Sequence, residues 1–122
     1  MIGYVTLGSD DLAASTEFFD RLFGALEGKR AFSLDHQIGY SFGPKLPMIL
    51  ITSPHNGEVA TNGNGTMVAL LARDRAHVDR THALALELGG IDEGAPGPRG
   101  RRFYGGYFRD LSGNKFNICL MQ

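Results

Sequence analysis

The side chains of this sequence that could do chemistry are few and scattered. Four histidines stand at positions 36, 55, 77 and 82. His77 and His82 fall on one predicted helix but five residues apart, about 140° around it, so they do not share a face as residues four apart would. His82 instead joins Val78 and Ala85 on the inner stripe, where a hydrogen-bonded, partly buried histidine is expected. His55 lies in a loop and His36 at a strand end. The single Cys119 excludes an intrachain disulfide, no paired-cysteine motif announces structural zinc, and in the apolar run NICLM it reads as a small core residue. A general base poised near neutrality has only loop candidates: Glu58, Asp92, Glu93 and His36. Arg99, Arg101 and Arg102 form a basic cluster in GPRGRRFY. It reads either as a solvated loop or as a rim that attracts an anionic ligand.

The elements that must position these residues repeat. IGYVTLG is apolar and β-branched enough for a strand, and SDDLAASTEFFDRLFG follows with helical spacing: Ser15, Phe18, Phe19, Leu22 and Phe23 make one apolar stripe. Asp10 or Asp11 caps it and Gly24 ends it. Three short strands follow, in ALEGKRAFSL, HQIGYSFG and PMILITS. Residues 54–65, PHNGEVATNGNG, are too rich in Pro, Asn and Gly for a core strand and connect two halves. The order then starts again, with a strand in TMVALLA and a helix over 74–88 capped by Asp74. A weak segment at IDEGAPGPRG and a strand pair, RRFYGGYFRD and NKFNICLM, complete the second half. Tyr4 matches Met67 and Asp11 matches Asp74, both 63 positions apart, while Leu50 matches Asn117 at 67. Neither half, near 60 residues, can cover both faces of its own sheet. The expectation is a single α+β domain of two paired βαβββ modules, 1–53 and 66–122, joined by the 54–65 loop and forming a curved mixed sheet around a cleft.

GYVTLGSDDLAASTEFFDRLFG, GNGTMVALLARDRAHVDRTHALALELGG and FYGGYFRDLSGNKFN, in that order, resemble the vicinal oxygen chelate superfamily of glyoxalase I, extradiol dioxygenases and bleomycin-resistance proteins. The last stretch is similar to the family's Asp-Pro-Asp-Gly-Asn hairpin, with Leu111 and Ser112 replacing Pro and Asp. The resemblance implies a divalent metal held by the first and fourth strands of each module. The matching positions here are Tyr4, Leu50, Met67 and Asn117, and none supplies the imidazole or carboxylate that such a cation needs. A metal and any other cofactor are therefore not expected, and lactoylglutathione lyase activity is in doubt.

Alternation along strands makes Tyr4 and Thr6, Met48, Leu50 and Thr52, Met67, Ala69 and Leu71, and Lys115, Asn117 and Cys119 line the cleft. Tyr104 or Phe103 joins them, because the two flank Gly105-Gly106 on opposite faces. Those glycines mark a close backbone approach, by a ligand or by the other module. The expected ligand-binding set is Tyr4, Thr6, Leu50, Thr52, Met67, Ala69, Tyr104, Asn117 and Cys119, with Arg102 at the rim. Tyr4 and Asn117 orient a ligand by hydrogen bonds. The leading reading is a metal-free protein of the glyoxalase and bleomycin-resistance type, binding an amphipathic or aromatic small molecule as a homodimer. The alternative is a glyoxalase-like lyase or isomerase acting without a metal or with a relocated one. No catalytic residue is assigned. A net charge of −1 recruits neither nucleic acid nor anionic membrane, and no apolar run approaches the roughly 18 residues of a spanning helix. MIGYVTLGSDD reads as a first strand rather than a leader, so a cytoplasmic location is expected.

Overall fold

Asp11 and Asp74 open the two helices in the same way. In the computed structural model, which describes residues 1–122, the Asp11 carboxylate accepts from Ala14 N at 3.0 Å and the Asp74 carboxylate from His77 N at 2.8 Å. Each satisfies an amide that the helix start leaves without a partner. The chain divides into two units, Met1–Thr61 and Asn62–Gln122. The first contains β1 (Tyr4–Gly8), α1 (Leu12–Gly24), β2 (Lys29–Ser33), β3 (Gln37–Ser41) and β4 (Met48–Thr52). The second contains β5 (Val68–Leu71), α2 (Arg75–Glu87), β6 (Ile91–Pro98), β7 (Phe103–Arg109) and β8 (Lys115–Met121). The class is α+β, with two four-stranded mixed sheets ordered β1-β4-β3-β2 and β5-β8-β7-β6. The first and fourth strands of each unit pair in parallel, and the other pairs are antiparallel. Neither helix is long and apolar enough to cross a membrane.

The registers carry the internal repeat into three dimensions. Thr6 lies opposite Leu50 in the first sheet, and Ala69 opposite Asn117 in the second. The same alternation therefore assigns faces in both. Leu7, Ile38, Tyr40, Ile49 and Ile51 meet Phe18, Phe19, Leu22 and Phe23 of α1, all of them buried. In the second unit α2 contributes only Val78 and Ala85 as apolar buried residues, beside His77, Thr81 and His82. The sheet supplies the missing bulk. Phe108 and Phe116 stack at 5.4 Å between centroids, and the His82 ring stands edge-on to Phe108 at 6.3 Å. His82 Nε2 lies 3.2 Å from Asp92 Oδ1 and 3.1 Å from the Tyr107 carbonyl oxygen. It is a hydrogen-bonded core histidine.

Local details differ from the sequence expectations. α1 ends at Gly24, but the left-handed residue is Glu27 (φ 64°), and Gly28 N closes the turn onto Phe23 O at 2.7 Å. The weak segment of the second half is the eight-residue β6, whose Gly and Pro residues are accommodated by two register breaks against β7. At Gly105 and Gly106 the close approach expected from the sequence is made from within the second unit. A Cβ on Gly105 would sit 2.9 Å from the Asn117 amide nitrogen and 3.1 Å from the Phe103 ring. One on Gly106 would meet His82 and Pro96 at 3.0 and 3.1 Å. Both close approaches are made by residues of the same unit.

Candidate functional site

The helix covers one face of the second sheet, and no helix of this unit covers the other, the open face, where Ala69 and Leu71 at the edge are exposed while Asn117 and Cys119 at the centre are buried. On the open face lie Ala69 and Leu71 of β5, Lys115, Asn117 and Cys119 of β8, and Gly105, Tyr107 and Arg109 of β7, paired Gly105 with Cys119, Tyr107 with Asn117 and Arg109 with Lys115. This face changes character along β8. At the Cys119 end it is apolar, with Leu71 exposed, and at the Lys115 end it is cationic and polar. Asn117 sits between them, 1% exposed, and its Nδ2 donates to Gly106 O at 2.9 Å. Burial pushes the Cys119 thiol up from its ordinary value, so it stays protonated and serves as a small packing group rather than a nucleophile.

The cationic end is an open pocket of about 820 Å³ between the 62–67 loop and Tyr107, Arg109 and Lys115. The sequence builds it through the tight turn Asp110-Leu111-Ser112-Gly113-Asn114. Asp110 Oδ1 accepts from Ser112 N at 3.0 Å and Asn114 N at 2.8 Å, Oδ2 accepts from Asn114 Nδ2 at 2.8 Å, and Gly113 takes φ 89°. Burial raises the Asp110 carboxyl above its ordinary value, opposed by these hydrogen bonds. Asn62 Nδ2 then donates to Asn114 Oδ1 at 3.1 Å, pinning the glycine-rich loop to the hairpin. Arg109 is committed on two sides, its Nε 3.1 Å from Glu93 Oε1 and its Nη1 donating to Gly113 O at 2.8 Å. Lys115 forms no ion pair, and its Nζ stands 5.6 Å from the centroid of the Tyr107 ring. The Arg99 guanidinium reaches the same ring at 5.6 Å, after donating to Ala95 O at 2.8 Å. Tyr107 is thus flanked by two cations.

The sequence-expected residues separate into three groups. Ala69, Asn117 and Cys119 share the open face of the second sheet, with Met67 at the pocket wall, one residue before β5 begins. Tyr4, Thr6, Leu50 and Thr52 share the open face of the first sheet. There Tyr4 and Thr6 are exposed, Leu50 is buried, and the Thr52 hydroxyl lies within hydrogen-bond reach of His36 O and Ser53 O. Tyr104 and Arg102 belong to neither face. Tyr104 is the neighbour of Gly105, so it points to the helix side, where its hydroxyl donates to Asp79 at 2.7 Å and Arg75 lies over its ring at 4.7 Å. Arg102 is exposed in the turn before β7 and contributes a backbone carbonyl to Gln122 N. Of the basic cluster, Arg99 is the member that reaches the sheet. Tyr107 and Arg109 are absent from the sequence-expected set, although the antiparallel partnering of β7 with Asn117 and Lys115 brings both to this face.

At the positions that the resemblance assigns to metal ligands, the donor chemistry does not fit. Leu50 has no donor atom, Met67 offers a soft thioether, Tyr4 a phenol, and Asn117 only a neutral amide oxygen in place of a carboxylate or imidazole. No three His, Cys, Asp or Glu side chains are gathered so as to hold an ion.

Comparison with known proteins agrees with this architecture. The model of the family described as Glyoxalase/Bleomycin resistance protein/Dioxygenase superfamily matches residues 1–118. A glyoxalase/bleomycin resistance protein from Albidiferax ferrireducens T118 is similar over 100% of this chain and 99% of its own, with 32% identity and a TM-score of 0.92. A glyoxalase-related enzyme from Fulvimarina pelagi aligns over 98% of this chain and 87% of its own, with 21% identity and a TM-score of 0.82. A lactoylglutathione lyase from Agrobacterium tumefaciens covers 98% and 92%, with 21% identity and a TM-score of 0.73, a likeness of fold alone. A search of curated proteins gave no match. With the repeated βαβββ order, the matched registers of its two sheets and a family model spanning nearly its whole length, the chain belongs to the glyoxalase/bleomycin resistance protein/dioxygenase superfamily.

Proposed function

We propose that this protein is a metal-independent binding protein of the glyoxalase and bleomycin-resistance type, taking an amphipathic or aromatic small molecule on the open face of its second sheet. The observation that supports this reading is the change of character across this face, from an exposed apolar edge at Ala69 and Leu71 of β5 to a polar pocket at Tyr107, Arg109 and Lys115. A volume near 820 Å³ suits a small molecule, and the pocket supplies the polar part of such a site through Asn64, Thr66, Tyr107 and Lys115, with Met67 as its apolar wall. Tyr4 and Thr6, exposed on the first sheet, offer a second surface of the same kind.

Binding is favoured over catalysis because no acid or base able to move a proton near neutrality faces the open side of the second sheet. His77 and His82 are buried on the helix side, and Glu93 is held by Arg109. We also propose a homodimer, supported by exposed apolar side chains at Tyr4, Met67, Leu71 and Met121 and by edge strands β1 and β5.

A thermal-shift panel of aromatic and amphipathic compounds, zinc and nickel tests the reading. A ligand of this site raises the melting temperature by mass action. The expected result is stabilisation by members of the organic panel and none by the metals. Stabilisation by a metal alone contradicts the proposal.

A further inference from the structure

We infer that the pocket between the 62–67 loop and the β7–β8 hairpin is an anion-recognition subsite, which seats the carboxylate or phosphate head of a small molecule whose apolar body runs toward the exposed Ala69 and Leu71. The inference rests on the proposed role of the open face as a ligand site and adds the sign of the ligand's charge. Its ground is the balance of charge around Tyr107. Lys115 enters the pocket with no carboxylate partner, and Arg99 approaches the same ring from β6. Of the acids near the pocket, Glu93 is paired with Arg109 at 3.1 Å, and Asp110 is buried under the turn with its carboxylate accepting from Ser112 and Asn114. The other nearby acid, Asp92, is turned to His82 Nε2 and Gly94 N. A net positive charge therefore remains in a cavity large enough for a small organic molecule. A chain whose total charge is −1 has no general surplus of cations, so this accumulation is local.

The polar complement is in place as well. Asn64 and Thr66 line the wall, and Arg109 Nη1 is already oriented by Gly113 O. The loop that presents them is tied to the hairpin by Asn62 on Asn114 and closed internally by the turn in which Thr66 N donates to Gly63 O at 3.1 Å. Such preorganisation lowers the ordering cost of binding. A cationic or metal ligand would meet Lys115 as a like charge. A neutral ligand would leave Lys115 unpaired as it displaced water.

The test is a set of amide-resolved NMR titrations of the full chain. The probes are phenyl phosphate, benzoate, phenol, benzylammonium and inorganic phosphate at constant ionic strength. Phenyl phosphate and benzoate are expected to perturb residues 62–67, Arg109 and Lys115, and phenol and benzylammonium to leave these positions unmoved. The substitution Lys115→Met keeps the aliphatic stem and is expected to weaken phenyl phosphate about tenfold, whereas Lys115→Arg stays within about threefold. Unchanged affinity in Lys115→Met, or equal perturbation of the 62–67 loop by benzylammonium, overturns the inference. If phenol perturbs Ala69, Leu71 and Cys119 while no anion reaches the 62–67 loop, the subsite falls and the open-face reading stands. If inorganic phosphate perturbs the loop and Lys115 while no aromatic probe perturbs Ala69 or Leu71, the subsite stands and the open-face reading falls.

Discussion

Asp20 ties three elements of the first unit together. Its carboxylate accepts from Arg30 Nε at 2.9 Å and Nη2 at 2.6 Å, and from the Tyr40 hydroxyl at 2.9 Å. The Arg30 hydrogen bond holds the Asp20 carboxyl below its ordinary 3.8, and burial together with Asp20 pushes the Tyr40 phenol up. A depressed acid stabilises the fold fully above its unfolded value, and that contribution is lost as pH falls through the lower folded value. Asp110 has the opposite sign. Its folded value is raised by burial, so stability falls as pH rises from 3.8 toward that value. The substitution Asp20→Asn should therefore remove the Asp20 part of the acid-side loss while leaving the Asp110 part. Melting temperatures of both proteins measured from about pH 6 to about pH 2 should show a shallower fall below 3.8 in the variant. Parallel curves would mean that Arg30 does not bind Asp20 in solution. At the open face, Asn117 illustrates a role that single residues do not reveal. The family resemblance singles it out along the chain, but the partner of its amide, Gly106 O, follows only from the paired strands.

Elements were legible where local chemistry and tertiary packing agree. Asp11 and Asp74 cap helices, the Phe-rich stripe of α1 faces inward, and the alternation of β1, β4, β5 and β8 predicts their faces. β6 was only faintly visible, because Gly94, Pro96 and Gly97 weaken strand propensity and their register breaks depend on β7. The face occupied by Tyr104 was not settled by its neighbours either, since alternation gives opposite sides but not which is covered by α2. The junction from α2 into β6 offers a sharp test of the packing. Gly90 N donates to Ala85 O at 2.8 Å, and a Cβ there would stand 2.7 Å from Ala85 O and 2.8 Å from Arg109 O, both backbone atoms. Neither can yield without moving the helix end or the strand. Gly90→Ala should cost about 1 to 3 kcal/mol, read as a lower urea midpoint at unchanged slope. In the same unit α2 supplies little apolar bulk, so Phe116→Ala should cost about 3 to 5 kcal/mol in the same assay. A loss well below 1 kcal/mol would show that the stacked Phe108–Phe116 pair is not the centre of this core.

At the scale of the whole molecule, surface composition bears on assembly and on ligand choice. Tyr4 at 61%, Leu71 at 62% and Met121 at 64% exposure leave apolar area open on sheets that have β1 and β5 among their edge strands. A second copy is the expected occupant of part of that area. Light scattering at tens of micromolar should give twice the 13.2 kDa chain mass, and a monomer at that concentration would count against it. The family resemblance reached the fold because it is distributed over three long stretches. It could not reach the ligand, because the positions that the resemblance assigns to metal ligands carry no imidazole or carboxylate and the cationic pocket is made by residues from the loop, β7 and β8 together. The central claim is that an organic ligand binds here through the chain's own groups without a metal. Calorimetric titration of the most stabilising compound from the thermal-shift panel tests it directly, on chelator-treated protein and again after zinc or nickel has been added. The same affinity, at one ligand per chain, is predicted in every condition. Binding that appears only in the metal-loaded samples would contradict the account.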